Sequence, residues 1–223
     1  MRNFHLRWRA MTRLSAERRR EAIIHAALAV ARRKGLAATT VRDVAAEMGS
    51  SSGLIHHYFD SMDEVLAAAF ERVAKEDLEQ TEAMLADLGD PAAVLAEFLG
   101  SYGRVDDDWA FQLWMDAWAE AARRPVLRAT SARLNLAWAA LLERTIRAGV
   151  TSGVFHCTDP GGAAWRILSL VDGLALQVVA HRTTVDRADM LAWATRAAEG
   201  ELGLSAGSLG NGARRADAAT RPR

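Results

Sequence analysis

Asp172 stands on an apolar helical line formed by Trp165, Leu168, Asp172, Leu176 and Val179. A carboxylate on such a line must be paired, hydrogen-bonded or protonated, because an unpaired charge in apolar surroundings is strongly unfavourable. It reads either as a structural group beside Gly173 or as the anchor of a cationic ligand. Five aromatic residues add to this: Phe111, Trp114 and Trp118 at spacings i, i+3 and i+7, with Trp138 and Trp165 further along. They either fill a core or wall a cavity for an apolar or cationic molecule, the latter held by the ring quadrupoles. Asp116 and Glu120 lie one helical turn apart, roughly opposite the Phe111, Trp114 and Trp118 edge, and are read as facing solvent or a neighbouring element. His156 and Cys157 are adjacent, but neighbouring side chains rarely aim at one point and no third ligand stands at metal spacing. There is no phosphate-cradling glycine loop, nucleophile elbow or pair of catalytic carboxylates. Catalytic residues, metal ligands and cofactors are therefore read as none.

A second constellation, residues 39–59, carries a different chemistry. Val41, Val44, Ala45 and Met48 form a stripe of helical period, with Thr40 before it as an N-cap and Gly49 after it as a left-handed stop. Ser50, Ser51 and Ser52 offer a second cap, and Ile55 and Phe59 give the next helix a single buried edge. That leaves Ser52, Leu54, His56, His57 and Tyr58 outward. Two short helices around a tight turn, with hydrogen-bonding and flat side chains outside, describe a helix-turn-helix DNA reader. Candidate base or near-base contacts are Ser52, His56 and His57, with Leu54 against a thymine methyl. Thr40, Arg42 and Tyr58 are assigned to phosphates, and Ser51 and Gly53 complete the DNA-binding set.

Over residues 23–66 this run resembles the DNA-binding domain of the TetR family of bacterial transcriptional regulators, above all at Gly49, Gly53, Ile55, Tyr58 and Phe59. The wording GLIHHYF is similar to the choline/betaine-responsive, BetI-like branch. The resemblance implies a repressor that binds a palindromic operator as a dimer and is released by a small-molecule effector. It also implies that the helix after the reader transmits effector binding to the DNA-binding heads. Three positions depart from the family pattern: Ser50 replaces a small apolar turn residue, Leu54 a threonine, and Met62 a lysine that touches phosphate.

The rest of the chain must position these groups. Half of the 223 residues are hydrophobic, only four are proline, and no alternating strand pattern stands out, so the fold is read as all-α. The zero net charge divides unevenly. Residues 1–60 hold 11 Lys/Arg against 5 Asp/Glu, while residues 61–223 hold 17 against 23, a basic head on an acidic body suited to phosphate. One cysteine excludes an intrachain disulfide, no signal-peptide pattern is present, and the apolar run 167–180 is read as too short and polar to span a bilayer, so a soluble cytoplasmic protein is expected.

Four segments are expected: a flexible basic arm (1–14), the helix-turn-helix domain (15–61), a ligand-binding and dimerisation domain (62–204) and a disordered tail (205–223). The last two helices, 160–181 and 187–202, are expected to form the dimer, with Ile167, Leu170, Leu174 and Val178 on the face meeting the second copy. The rival reading is a helical small-molecule-binding protein whose DNA-binding head has degenerated, and a more distant one is an α-helical enzyme using the cavity.

Overall fold

The computed structural model describes residues 16–104, 108–182 and 184–210. Among them all regular structure is helical: α1 (Ala16–Lys34), α2 (Val41–Glu47), α3 (Ser52–Tyr58), α4 (Met62–Ala86), α5 (Pro91–Ser101), α6 (Asp108–Ala121), α7 (Pro125–Thr151), α8 (Pro160–Leu176) and α9 (Arg187–Glu201). The basic arm expected at 1–14 lies outside the described residues. The described residues form two compact units, one of those up to Val73 with Asp116–Ser131, the other of those from Ala74 to Met115 with those from Ala132 onward. The expected boundary at residue 61 is thus displaced: the start of α4 and the segment 116–131 belong with the DNA-binding head.

The helix ends follow from their caps. Asp90 and Asp159 each precede a proline at a first helical position and accept the backbone N–H of Ala92 and Gly162 at 3.1 and 3.0 Å. Asp186 caps α9 without a proline, accepting the Asp189 N–H at 2.9 Å.

In the first unit, Ile23, Ala27, Val44, Ala45, Ile55, Phe59, Val65 and Ala69 form one core, so α1, α2, α3 and the start of α4 bury a common centre. Met62 packs against that core, which is why an apolar residue serves there. In the second unit α8 packs on α9, and α9 on α5. Arg166 joins α8 to α9 through a two-pronged contact with the Glu201 carboxylate, at 2.9 and 2.7 Å. Arg187, at the start of α9, donates to the carbonyl oxygens of Tyr102 and Arg104 at 3.3 and 3.4 Å and pairs with Asp108. One residue therefore closes the end of α5 and the beginning of α6. α8 continues through a π-helical turn, Gln177–His181, and ends at Arg182 in the left-handed region.

Three expectations need correction. By length and composition alone, Pro160–His181 is apolar and long enough to cross a membrane, so the sequence criterion was too strict. Its buried face nonetheless packs within the unit and its outer face carries Arg166. The tail does not begin at 205: Leu209 is buried, and the buried Glu199 carboxylate accepts the N–H groups of Gly207 and Leu209 at 2.9 and 3.0 Å. Local sequence offered no period there, and the order comes from a carboxylate eight to ten residues upstream. Residues 211–223 lie outside the described residues. Finally, Ile167 is only 2% exposed, so it belongs to the interior of its own chain and not to an outward face.

Candidate DNA-reading face and effector site

The reader is built from α2 and α3. Thr40 and Asp43 form a reciprocal cap: Asp43 N–H donates to Thr40 Oγ1 at 3.3 Å, and Thr40 N–H to Asp43 Oδ2 at 3.1 Å. The hydrogen bond from Lys34, at 2.6 Å, and those from Thr40 hold the Asp43 carboxyl down at about 2. The Thr40 hydroxyl, assigned from sequence to phosphate, is exposed but engaged in the cap, also donating to Asp43 at 2.7 Å. Gly49, at φ +59°, closes α2: its own N–H bonds to Ala46 O and that of Ser50 to Ala45 O, at 3.0 and 2.9 Å. The Ser50 hydroxyl is buried without a partner, the physical consequence of a polar residue at an apolar turn position.

α3 turns only part of its expected outer side, His56 and His57, fully to solvent, while Ser52, Leu54 and Tyr58 are partly covered. Ile55 and Phe59 are buried, Ser51, Gly53, His56 and His57 are exposed, and Ser52 and Leu54 are half-buried. Ser51 occupies the cap position without a side-chain bond to the helix, which leaves its hydroxyl outside the capping role. Tyr58 is half-buried against the core, its ring edge-on to His57 at 4.9 Å. Arg42 is exposed on α2. Arg20, which the sequence reading missed, supports the reading helix from below. Its guanidinium donates to Tyr58 O at 2.6 Å and lies 4.0 Å over the Phe59 ring. One arginine among several on α1 gave no sequence signal of this role.

The second site is in the other unit. Tyr102, just past α5, donates its hydroxyl to Asp172 Oδ1 on α8 at 3.4 Å, the long end of hydrogen-bond range. Burial pushes the Asp172 carboxyl up to about 7, and the Tyr102 bond pulls it partly back. Burial pushes the Tyr102 phenol well above its ordinary range, with the Asp172 and Asp77 carboxylates acting in the same sense. Phe98 joins these groups to Trp138, its ring 5.9 Å from Tyr102 and 6.2 Å from Trp138. Trp138 is 8% exposed, and its Nε1–H has no hydrogen-bond partner.

Of the residues expected to bind ligand, Asp172 and Trp138 are therefore brought into one aromatic cluster. Phe98 and Tyr102 join them; their i, i+4 spacing on an apolar helix was the signal available. Trp114 is buried and Phe111 half-buried on α6, whereas Trp118 belongs to the first unit. Trp165 is 40% exposed and, with Ser169, Leu170 and Gly173, lies on the open face of α8. The line drawn from Trp165 to Asp172 ran along the edge between the covered and open faces, so its two ends have different surroundings. Asp116 and Glu120 face neighbouring elements, one accepting from Leu36 N–H and the other paired with Arg124.

Residues 91–203 match the model of the BetI-type transcriptional repressor C-terminal domain, and residues 23–69 that of the tetR family of bacterial regulatory proteins. The chain belongs to the TetR family. This TetR-family regulator is similar to CymR of Pseudomonas putida, 31% identical over 74% of this chain and 83% of that one. It is also 34% identical to BetI of Stenotrophomonas maltophilia, over 49% of this chain and 57% of that regulator's length. Among solved structures it resembles a transcriptional regulator from Saccharomonospora viridis in complex with choline (TM-score 0.69, 26% identity, 78% of this chain and 92% of that one). The multidrug binding protein EbrR in complex with ethidium is also similar, with a TM-score of 0.60 and 29% identity over 80% of this chain and 98% of that one. The fold is thus all-α with an N-terminal helix-turn-helix, and the relatives are transcriptional regulators, not enzymes.

Proposed function

We propose that this regulator is a cytoplasmic repressor that binds a near-palindromic operator as a homodimer and leaves it when an organic cation bearing an oxygen acceptor enters the Asp172 site. The observation that carries the effector class is the pairing of the raised Asp172 carboxyl with a buried, partnerless Trp138 N–H. A cation would favour the ionised carboxylate, the Phe98, Tyr102 and Trp138 rings suit its apolar periphery, and an oxygen on the ligand would accept from Trp138 Nε1. Phe111 and Trp114 supply further aromatic wall from α6. Choline has both features, and the relative from Saccharomonospora viridis was solved with it.

On the DNA side, Ser51, Ser52, Gly53, Leu54, His56 and His57 are the reading surface and Arg42 a phosphate contact, with Tyr58 and Arg20 supporting the helix. The dimer is formed by α8 and α9, whose open faces carry Trp165 at 40%, Leu170 at 38% and Trp193 at 49% exposure. Gly173 lies on this face, and a side chain there would meet nothing within the chain, which leaves room for a second backbone. Calorimetric titration with choline chloride tests the effector reading: one site per chain is expected for the wild type, and a loss of at least tenfold in affinity for Trp138→Phe. Equal binding by both proteins would remove Trp138 from the site, and binding of ethidium alone would replace the small oxygenated cation by a flat aromatic one.

A further inference from the structure

Tyr102 is held from two sides by different helices. Its hydroxyl donates to Asp172 on α8, while its backbone carbonyl, at the C-terminal end of α5, accepts from Arg187 at the start of α9. The same guanidinium nitrogen reaches the Arg104 carbonyl oxygen at 3.4 Å, and Nη2 pairs with Asp108. A cation is favourable at the negative end of a helix, and a planar fork can serve several acceptors at once. Only 23% of the Arg187 side chain is exposed, so the fork is held by these acceptors rather than by solvent.

Leu191, one turn along the same face of α9, adds a second grip. A Cβ on Gly103 would stand 2.7 Å from Leu191 Cδ1 and 3.1 Å from the Gly100 carbonyl oxygen. Gly103 is not among the glycines with positive φ, so its use lies in the close approach of α9. The main chain of residues 102–104 is therefore fixed by α9, within the second compact unit. From that main chain the Tyr102 side chain runs to Asp172, its ring 5.9 Å from that of Phe98. At 3.4 Å the hydroxyl is at the long end of bonding, so main-chain shifts of a few tenths of an ångström decide whether the bond exists.

We infer that Arg187 is a positioning residue of the Asp172 site, holding the Tyr102 main chain so that its hydroxyl stays bonded to the carboxylate that meets the effector. The Tyr102 bond lowers the Asp172 carboxyl against the effect of burial, so losing it shrinks the ionised fraction near neutrality. Tyr102, from the end of α5, and Asp77, from α4, are the titratable groups that act at this carboxyl and at its phenol partner. The choline arm of this inference rests on the reading of Asp172 as the effector site; the Tyr102 arm does not.

The test follows the Asp172 carboxyl carbon by NMR from pH 5 to pH 9 in the wild type, Tyr102→Phe, Arg187→Met and the double variant. The wild type is expected to titrate at about 7 and Tyr102→Phe at higher pH. Arg187→Met, which keeps the apolar stem but no donor, should move the midpoint in the same direction. Added to Tyr102→Phe it should move nothing further, because both changes remove the same bond. Calorimetry with choline chloride at pH 7 should show affinity lower by about threefold in each of the three variants. Where melting shows that Arg187→Met does not fold, Arg187→Lys, with a point charge in place of the fork, is expected to raise the midpoint likewise. A wild-type midpoint in the Arg187 variant would overturn the inference. So would a further rise on adding Arg187→Met to Tyr102→Phe, the mark of a direct charge effect. A wild type that ignores choline refutes the effector reading, and the NMR titration alone then decides the role of Arg187.

Discussion

At the scale of single residues, the Ser50 hydroxyl and the Asp172 carboxyl are two buried groups whose consequences differ. The Ser50 hydroxyl sits at the turn between the two reader helices with no partner. Ser50→Ala removes a polar atom without leaving a cavity, so a gain of about 1 kcal/mol is expected, read as a higher urea midpoint at an unchanged slope. A loss of stability would show that the hydroxyl is bonded in solution. Asp172 behaves in the opposite way with pH. Its folded value of about 7 lies above the ordinary carboxylate range, so between pH 4 and 7 the folded chain holds a proton that the unfolded chain has released. This group's contribution therefore falls as pH rises through that window. Asp172→Asn should gain on the wild type from pH 5 to pH 8, measured as the difference in urea midpoints. Choline affinity should run the other way, rising up to about tenfold per unit below pH 7, since the anion is the binding form. Tyr102 and Asp77 are the neighbouring titratable groups, and a flat wild-type binding profile would mean Asp172 is already ionised.

At the scale of elements, the reading helix depends on α1 as much as on its own turn. Arg20 holds the Tyr58 carbonyl and the Phe59 ring. Arg20→Ala should weaken operator binding severalfold while leaving the slope of affinity against salt unchanged, because the residue acts through α3. A slope reduced by about one unit would instead make Arg20 a direct phosphate contact. The elements themselves were legible in the sequence, because each has a local cause: Thr40 before the α2 stripe, Gly49 after it, and prolines at the starts of α5, α7 and α8. The aromatic edge of α6 and the carboxylate of α8 were equally visible. Side-chain surroundings were not. Trp165 and Asp172 share a line on a helical projection, yet one is 40% exposed and the other largely covered, since a helix packed on two sides has a narrow boundary between faces. Asp116, Arg20 and Arg124 act across long sequence separations, and spacing rules carry no information about such partners.

At the scale of the whole molecule, the same sequence must build a head, an effector site and a dimer. With Ile167 in the interior, the proposed interface is drawn from Trp165, Leu170 and Trp193, exposed apolar residues of α8 and α9. Leu170→Arg places a charge in that contact and should give a monomer whose helical signal is unchanged and whose operator affinity is strongly reduced, since a single head reads only one half-site. Sedimentation and circular dichroism together check this, and a dimer that still binds operator would exclude that face.

The central claim is that one protein reads DNA through α3 and releases it when a small cation reaches Asp172. Fluorescence anisotropy of a duplex that the wild type selects from a random pool, titrated with wild type and with Asp172→Asn in the presence and absence of choline chloride, tests it most directly. The account predicts that both proteins bind the duplex, and that choline weakens wild-type binding by tenfold or more while leaving the variant unmoved. Two superimposable wild-type curves, or an equal choline effect on the variant, would contradict it.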